Sequence, residues 1–252
     1  MKDRILWLDN LKGFLIIIVI LGHTILFTDG TWDKNIVSRY IISFWMYLFM
    51  FTSGFASYKS DIQILSIKKR FLQLIIPFIT WSLLLSLFNR QYGFFEMLLF
   101  PGHSVWFIYA LFGISTINTA AIVISQYLKV SDVIINTFIA VILLVLTKVV
   151  KEPAMFSLSS ISQFYSSYLI GWYLRKYNYI DRLKTPYVNL LFAMVFSVMA
   201  FYNKGVFMPF GLPHSLHIGY DMLCGLVSIA FFAPLFVTIF NRKMKLISAW
   251  GG

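Results

Sequence analysis

The sequence predicts an all-α, polytopic integral membrane protein, a helical bundle with about eight transmembrane helices. Of the 252 residues, 59% are hydrophobic and 12% are charged, and the mean hydropathy is +0.78. A soluble domain of this length has too little interior to bury so much apolar surface. The apolar residues also form continuous runs instead of alternating with polar ones, which argues against a transmembrane β-barrel.

Each helix is predicted from an apolar run near the length of about 20 residues that crosses a hydrocarbon core of about 30 Å. In chain order the runs are 7–27, 36–58, 71–88, 105–128, 133–150, 157–174, 187–203 and 218–240. Residues 94–100 are apolar but too few to span, so they are expected to be re-entrant or interfacial. Pro-Gly-His at 101–103 then turns the chain. No linker or repeat interrupts this order, so a single domain over 1–252 is expected.

The basic residues predict a cytoplasmic N-terminus. With that orientation, 15 of the 21 Lys and Arg residues lie inside, and the outer side keeps only Lys34, Arg39, Arg90, Lys148, Lys151 and Lys204. This bias follows the positive-inside rule. Because the cations flank the apolar runs, the net charge of +11 indicates a lipid bilayer as partner and no nucleic acid. The single Cys224 excludes a disulfide framework and a Cys-based zinc site.

The first apolar run carries three polar residues, Asp9, Lys12 and His23. Lys12 and His23 are eleven residues apart, about three helical turns and roughly 16 Å of rise, so they share a face of the helix. Asp9 lies close to that face. A His in an apolar helix is costly unless it points into a cavity or has a partner. This face is therefore the candidate functional face, and the alternative for His23 is a packed histidine that is hydrogen-bonded to a backbone carbonyl.

Four segments resemble the motifs of a known family, in the same order along the chain. They are Leu8-Asp-Asn-Leu-Lys-Gly13 through Gly22-His23, Phe44 to Phe55 with its Ser-Gly-Phe end, Lys68-Lys-Arg70 leading to Ile76-Pro-Phe-Ile-Thr-Trp81, and Trp106-Phe107 followed by Ala110-Leu-Phe112. The family is the membrane-bound acyltransferase-3 group, O-acetyltransferases of surface glycans, here fucose 4-O-acetylase-like. The resemblance is sharp over about 1–115.

The chain also departs from the family pattern at identifiable positions. Lys12 replaces an Arg, Trp45 a His, Tyr47 a Pro, and Gln73 the second Arg of an Arg-x-x-Arg pair. The family generally has about ten helices. The apolar run that has barely begun at 246–252 therefore favours a chain that lacks the last helices.

The resemblance implies transfer of an acetyl group from cytosolic acetyl-CoA to a hydroxyl of a cell-surface or capsular polysaccharide or its precursor, at the plasma membrane. The essential His of the family corresponds to His23, which would deprotonate the acceptor hydroxyl or transiently take the acyl group. Lys12 and Asp9 would orient the helix or attract the donor. Three basic residues, Lys68, Lys69 and Arg70, are expected where the CoA phosphates would arrive, because cations there suit a polyanion. The alternative is that the positive-inside rule alone accounts for their position.

Three further residues are candidates for substrate binding. Ser53 and Trp106 are carried over as pocket lining, with helix packing as the alternative. Asp221 lies inside the eighth run, one turn after His217, and is a candidate for acceptor binding, with simple interfacial solvation as the alternative. Together with His214 these residues offer at most three metal ligands, so no metal is expected. A non-catalytic or truncated relative and a membrane transporter remain the alternative functions, although no internal repeat supports a transporter.

Overall fold

A computed structural model describes residues 5–28, 35–58, 65–88, 91–149, 155–180, 186–203 and 214–241. Within these ranges the chain is helical and contains no strand, which confirms the predicted all-α class. The helices are α1 (Leu6–Thr28), α2 (Ile36–Ser57), α3 (Leu65–Arg70, Phe71–Ile75 and Ile76–Phe88 in succession), α4 (Phe94–Leu99), α5 (Trp106–Leu128), α6 (Asp132–Val149), α7 (Leu158–Lys176), α8 (Pro186–Tyr202) and α9 (His214–Thr238). The apolar run at 246–252 lies outside the described residues.

Five stretches in the described ranges are long and apolar enough to cross a membrane: Leu6–Thr28, Ile36–Ser57, Ile67–Phe88, Trp106–Leu128 and His217–Thr238. Two shorter apolar stretches, Asp132–Leu146 and Tyr187–Tyr202, lie in α6 and α8. The expected span 157–174 coincides with α7. This helix is too polar to count among the five candidate membrane-spanning stretches. Its hydroxyl-bearing residues are instead buried against protein, as Ser162, Tyr165 and Tyr168 show.

The described residues form two compact units, and the boundary between them falls within α7. Unit 1 comprises Met1–Tyr58 and Ile170–Gly252, and unit 2 comprises Lys59–Leu169. Unit 1 therefore combines the first two helices with α8, α9 and the end of α7. Unit 2 is one continuous segment that contains α3 to α6 and most of α7.

Aromatic side chains form the core of unit 1. The Phe44 ring lies 4.8 Å from Phe232 and 5.9 Å from Phe196, measured between centroids, and so joins α2 to α8 and α9. Phe14 of α1 stacks on the same Phe44 ring at 6.3 Å. Such pairs contribute about 0.5–1.5 kcal/mol each beyond the area that they bury. Four helices are thus held together around one ring.

Helices α2 and α7 approach each other closely at Gly171. A Cβ atom at this position would collide with the carbonyl oxygen of Phe51 and lie 2.9 Å from the backbone nitrogen of Phe55. Only a residue without a side chain allows two helix backbones to touch in this way. Gly171 therefore sets the distance between α2 and the end of α7.

In unit 2, α3 contains a π-helical turn at Phe71–Ile75, which ends two residues before Pro77. Proline has no N–H to donate, and its ring collides with the carbonyl four residues earlier, which here is that of Gln73. A local π turn moves that carbonyl aside without ending the helix. The helix accordingly starts at Leu65, earlier than the predicted span 71–88, because the apolar run marks only its membrane-crossing part.

The segment between α3 and α5 contains a short helix and a turn. Phe94–Leu99 is a helix of six residues with Met97 buried and Phe95 exposed, and its re-entrant or interfacial position stays a prediction. Pro101–His103 forms a single 3-10 turn that leads into α5. A 2.8 Å hydrogen bond between the hydroxyls of Ser82 and Ser104 fixes this turn to α3.

Candidate functional site

The first half of α1 is buried in unit 1. Asp9 is only 8% exposed and Lys12 is half-buried, and the two side chains attract each other across one turn of the helix. Asn10, between them, is fully buried, and its amide donates a 2.6 Å hydrogen bond to the carbonyl of Phe240. Sequence reasoning gave Asn10 no role because its partner is 230 residues away. The Leu-Asp-Asn-Leu-Lys-Gly motif thus joins α1 to the chain just after α9.

His23 lies in the second half of α1, where the helix is mostly exposed. The imidazole contacts two rings, Trp45 at 5.4 Å and Phe27 at 6.1 Å between centroids. Within the described ranges it makes no hydrogen bond, so the carbonyl-bonded histidine that the sequence allowed as an alternative is not found there. Neither ring nitrogen is bonded to a described residue.

Trp45 reaches His23 because the residue before the histidine is glycine. A Cβ atom at Gly22 would lie 2.6 Å from the Cζ3 atom of Trp45 and 3.1 Å from Cγ2 of Ile41. The indole therefore lies directly across α1 at Gly22, half-buried. The sequence identified Trp45 only as a departure from the family pattern. The structure places this departure beside the histidine.

Asp221 belongs to a buried polar cluster of unit 1, formed with Arg39, Ser43, Asn203 and Cys224. The Asn203 amide donates a 2.8 Å hydrogen bond to the Ser43 hydroxyl, which itself donates to the Arg39 carbonyl at 2.6 Å. Cys224 is fully buried and lies near Ser43 and near the Asp221 carboxylate, which is 7% exposed. The cluster connects α2, α8 and α9, so Asp221 lies between helices.

The Arg39 guanidinium of this cluster is hydrogen-bonded to the C-terminal end of α8. It donates a 3.3 Å hydrogen bond to the carbonyl of Phe201, one of the last carbonyls of α8. Such carbonyls lack partners within their own helix, and a cation there also suits the helix dipole. Arg39 thus contributes to the packing of α2 on α8.

The three basic residues predicted to bind the CoA phosphates lie in different environments in unit 2. Lys68 and Lys69 are exposed on α3. Arg70 is half-buried, and its Nη1 lies 3.4 Å from both the carbonyl oxygen of Ser115 and the hydroxyl of Tyr168. The two lysines therefore remain available to a polyanion, whereas Arg70 joins α3 to α5 and α7.

The two residues predicted to line a pocket are both half-buried. Trp106 begins α5 and stacks on Phe164 of α7, with centroids 5.8 Å apart and planes 20° apart. One face of its ring is therefore taken up by helix packing within unit 2. Ser53 lies on α2 of unit 1 between the buried residues Thr52 and Gly54. Their role in substrate binding stays a prediction.

The family model described as "Acyltransferase domain", Acyl_transf_3, matches residues 5–250. The chain belongs to the acyltransferase-3 family. The match covers nearly the whole chain, well beyond the region of about 1–115 that carries the recognisable motifs. No curated protein and no solved structure matches the chain significantly. Family and helices together identify a multi-pass membrane acyltransferase.

In this acyltransferase, the predicted catalytic residues fall into two environments of α1. Asp9 and Lys12 are held in the unit 1 core, whereas His23 is exposed beside Trp45. The described residues contain no group of three or more His, Cys, Asp or Glu side chains arranged to hold a metal ion. Of the three predicted catalytic residues, His23 is the one with an exposed side chain.

Proposed function

We propose that this acyltransferase moves an acetyl group from cytosolic acetyl-CoA to a hydroxyl of a cell-surface or capsular polysaccharide or its precursor, at the plasma membrane. One observation carries the proposal: His23 is exposed and makes no hydrogen bond within the described ranges, although the helix preceding it is apolar from Gly13 to Gly22. An ionisable side chain within a membrane-spanning helix marks a candidate functional site.

His23 acts as the general base in this proposal. The acceptor oxygen attacks the thioester carbonyl carbon, the new C–O bond forms, and the C–S bond of acetyl-CoA breaks. The hydroxyl proton passes to the imidazole and then to the departing CoA sulfur, which leaves as the free thiol. A positioned base of this kind accelerates such a reaction about 10²–10⁴-fold.

The depth of the polar residues along α1 suits donor and acceptor on opposite sides. With the N-terminus in the cytoplasm, which the distribution of Lys and Arg supports, Lys12 lies near the inner surface. His23 is about 16 Å further along the helix axis, past the middle of the membrane. The long pantetheine arm of CoA is suited to such a distance between its phosphates and its thioester.

We expect the exposed lysines of α3 to bind the CoA phosphates. The double variant Lys68→Ala/Lys69→Ala should raise the KM for acetyl-CoA several-fold with little change in kcat, because it removes two cations that attract a polyanion. The increase should shrink at high ionic strength, since salt screens exposed charges. Steady-state kinetics of the purified enzyme at two salt concentrations measure both effects.

Lys129→Asn is the matched control for the lysine pair. Lys129 is also an exposed cation of unit 2, and it has a left-handed φ of 55°, which Asn tolerates. This variant should keep the wild-type KM for acetyl-CoA. An unchanged KM in the double variant at both salt concentrations would mean that Lys68 and Lys69 serve only to orient the helix.

The test of the overall proposal is the O-acetyl content of the surface polysaccharide, measured by NMR in cells with and without the gene. The acetyl signals should disappear on deletion and return when the intact gene is supplied. An acetyl pattern that is identical in both strains would contradict a polysaccharide acceptor.

A further inference from the structure

Trp45 and His23 form one surface on unit 1. The indole covers Gly22, remains half-buried, and lies 5.4 Å from the imidazole with the two ring planes inclined at 49°. We infer that Trp45 is the platform on which a pyranose ring of the acceptor lies while His23 receives its hydroxyl proton. The inference rests on the proposed function and names the residue that selects the acceptor.

The chemistry of a pyranose fits this pair of side chains. One side of such a sugar ring presents C–H groups, and its rim presents hydroxyls. An indole offers a broad apolar face for the C–H groups, with a polar N–H at its edge. The imidazole, inclined to that face, offers ring nitrogens without partners among the described residues. A sugar seated on Trp45 thus directs a rim hydroxyl toward His23, the arrangement that proton transfer requires.

Gly22 holds the platform in place. Because a Cβ atom there would approach Cζ3 of Trp45 to 2.6 Å and Cε3 to 3.2 Å, any larger residue displaces the indole. The Gly-His pair of α1 thus has two tasks, since the glycine positions Trp45 and the histidine performs the chemistry. Trp45 also borders the hydrophobic core of unit 1, so the test must separate its contact with Gly22 from its contribution to core packing.

The experiment uses the reconstituted enzyme, acetyl-CoA and the surface polysaccharide of the source cell after mild alkaline removal of its O-acetyl groups. Trp45→Leu should raise the KM for the polysaccharide at least about tenfold and leave the KM for acetyl-CoA unchanged. Trp45→Phe, which keeps an aromatic face, should recover most of the affinity. Thermal unfolding of each variant shows that the helices are intact.

A double-mutant cycle isolates the coupling. Gly22→Ala alone should raise the polysaccharide KM several-fold, because the methyl group displaces the indole. The same change made in the Trp45→Leu variant should add little, because no indole is left to displace. If the factors by which the two single substitutions raise the polysaccharide KM instead multiply in the double variant, the inference that Gly22 acts through Trp45 is overturned.

Binding to a variant that does not turn over separates this inference from the proposed function. Trp45→Leu added to His23→Asn should weaken binding of the same polysaccharide by the same factor as it raises KM. Unchanged polysaccharide binding and KM in Trp45→Leu overturn the inference even when the wild-type enzyme transfers acetyl. Polysaccharide binding that depends on Trp45, without acetyl transfer by the wild type, supports the platform and counts against the proposed reaction.

Discussion

Replacing His23 with alanine should lower the rate of acetyl transfer at least about 100-fold and leave the folded protein intact. The loss follows from removal of the base that accepts the hydroxyl proton. Stability should hardly change, because within the described ranges the imidazole is exposed and contacts only the rings of Trp45 and Phe27. Transfer to the polysaccharide and thermal unfolding, measured on the same preparation, separate the two effects.

Thr24→Ala is the control for this substitution. Thr24 follows His23 on α1, is exposed, and donates its hydroxyl hydrogen only to the carbonyl of Ile20, at 2.9 Å. Its replacement changes the same part of the helix and should leave the rate near that of the wild type. If His23→Ala acetylates as fast as the wild type, the assignment of the base is wrong, whatever the family implies.

Replacing Gly171 with alanine should strongly destabilise the fold, because it adds a methyl group where two helix backbones touch. The added Cβ atom would collide with the Phe51 carbonyl oxygen and lie 2.9 Å from its carbon. Backbone atoms cannot turn aside as a side chain can, so α2 and α7 must separate. Overpacking of this kind costs about 1–3 kcal/mol and sometimes more. Thermal unfolding in detergent and the yield of monodisperse protein measure the effect.

Gly219→Ala adds the same methyl group to a helix without a collision. Among the described residues, no atom outside the helix's own neighbouring backbone lies within 4 Å of a Cβ at Gly219 in α9. Alanine also favours helix over glycine by about 1 kcal/mol. This variant should unfold at the wild-type temperature or slightly above it. Equal unfolding temperatures for Gly171→Ala and the wild type would show that α2 and α7 do not touch there.

The sequence predicted the helices well because length and apolarity decide where a chain can cross a bilayer. The predicted runs 7–27 and 36–58 differ from α1 and α2 by a single residue at each end at most. The run 157–174 was also helical, but hydropathy could not show that its hydroxyls face protein. Tyr165, for example, donates a 2.6 Å hydrogen bond to Asn136 of α6, a partner that only the fold reveals.

The candidate site was predicted less completely. The period of a helix shows in which direction each side chain points, but it does not show which residues of other helices lie beside it. It placed Lys12 and His23 on one face of α1, yet it could not show that one is half-buried and the other exposed. Likewise, Lys69 and Arg70 are adjacent in sequence but point about 100° apart on a helix, which directs only Arg70 toward Tyr168. Trp45 was missed as a neighbour of His23 because nothing local relates the two.

The hydrogen bond from Asn10 to the carbonyl of Phe240 also constrains how the protein is made. At about 5–20 residues per second, the ribosome needs on the order of 10–50 s to synthesise the chain between them. During that time the Asn10 amide cannot yet bond to Phe240. Unit 2, a continuous segment, can assemble from helices that emerge one after another, whereas unit 1 stays unfinished until α9 is inserted. A nascent chain halted before α9 therefore leaves the core of unit 1 incomplete, a feature that quality-control proteases and insertion chaperones can recognise.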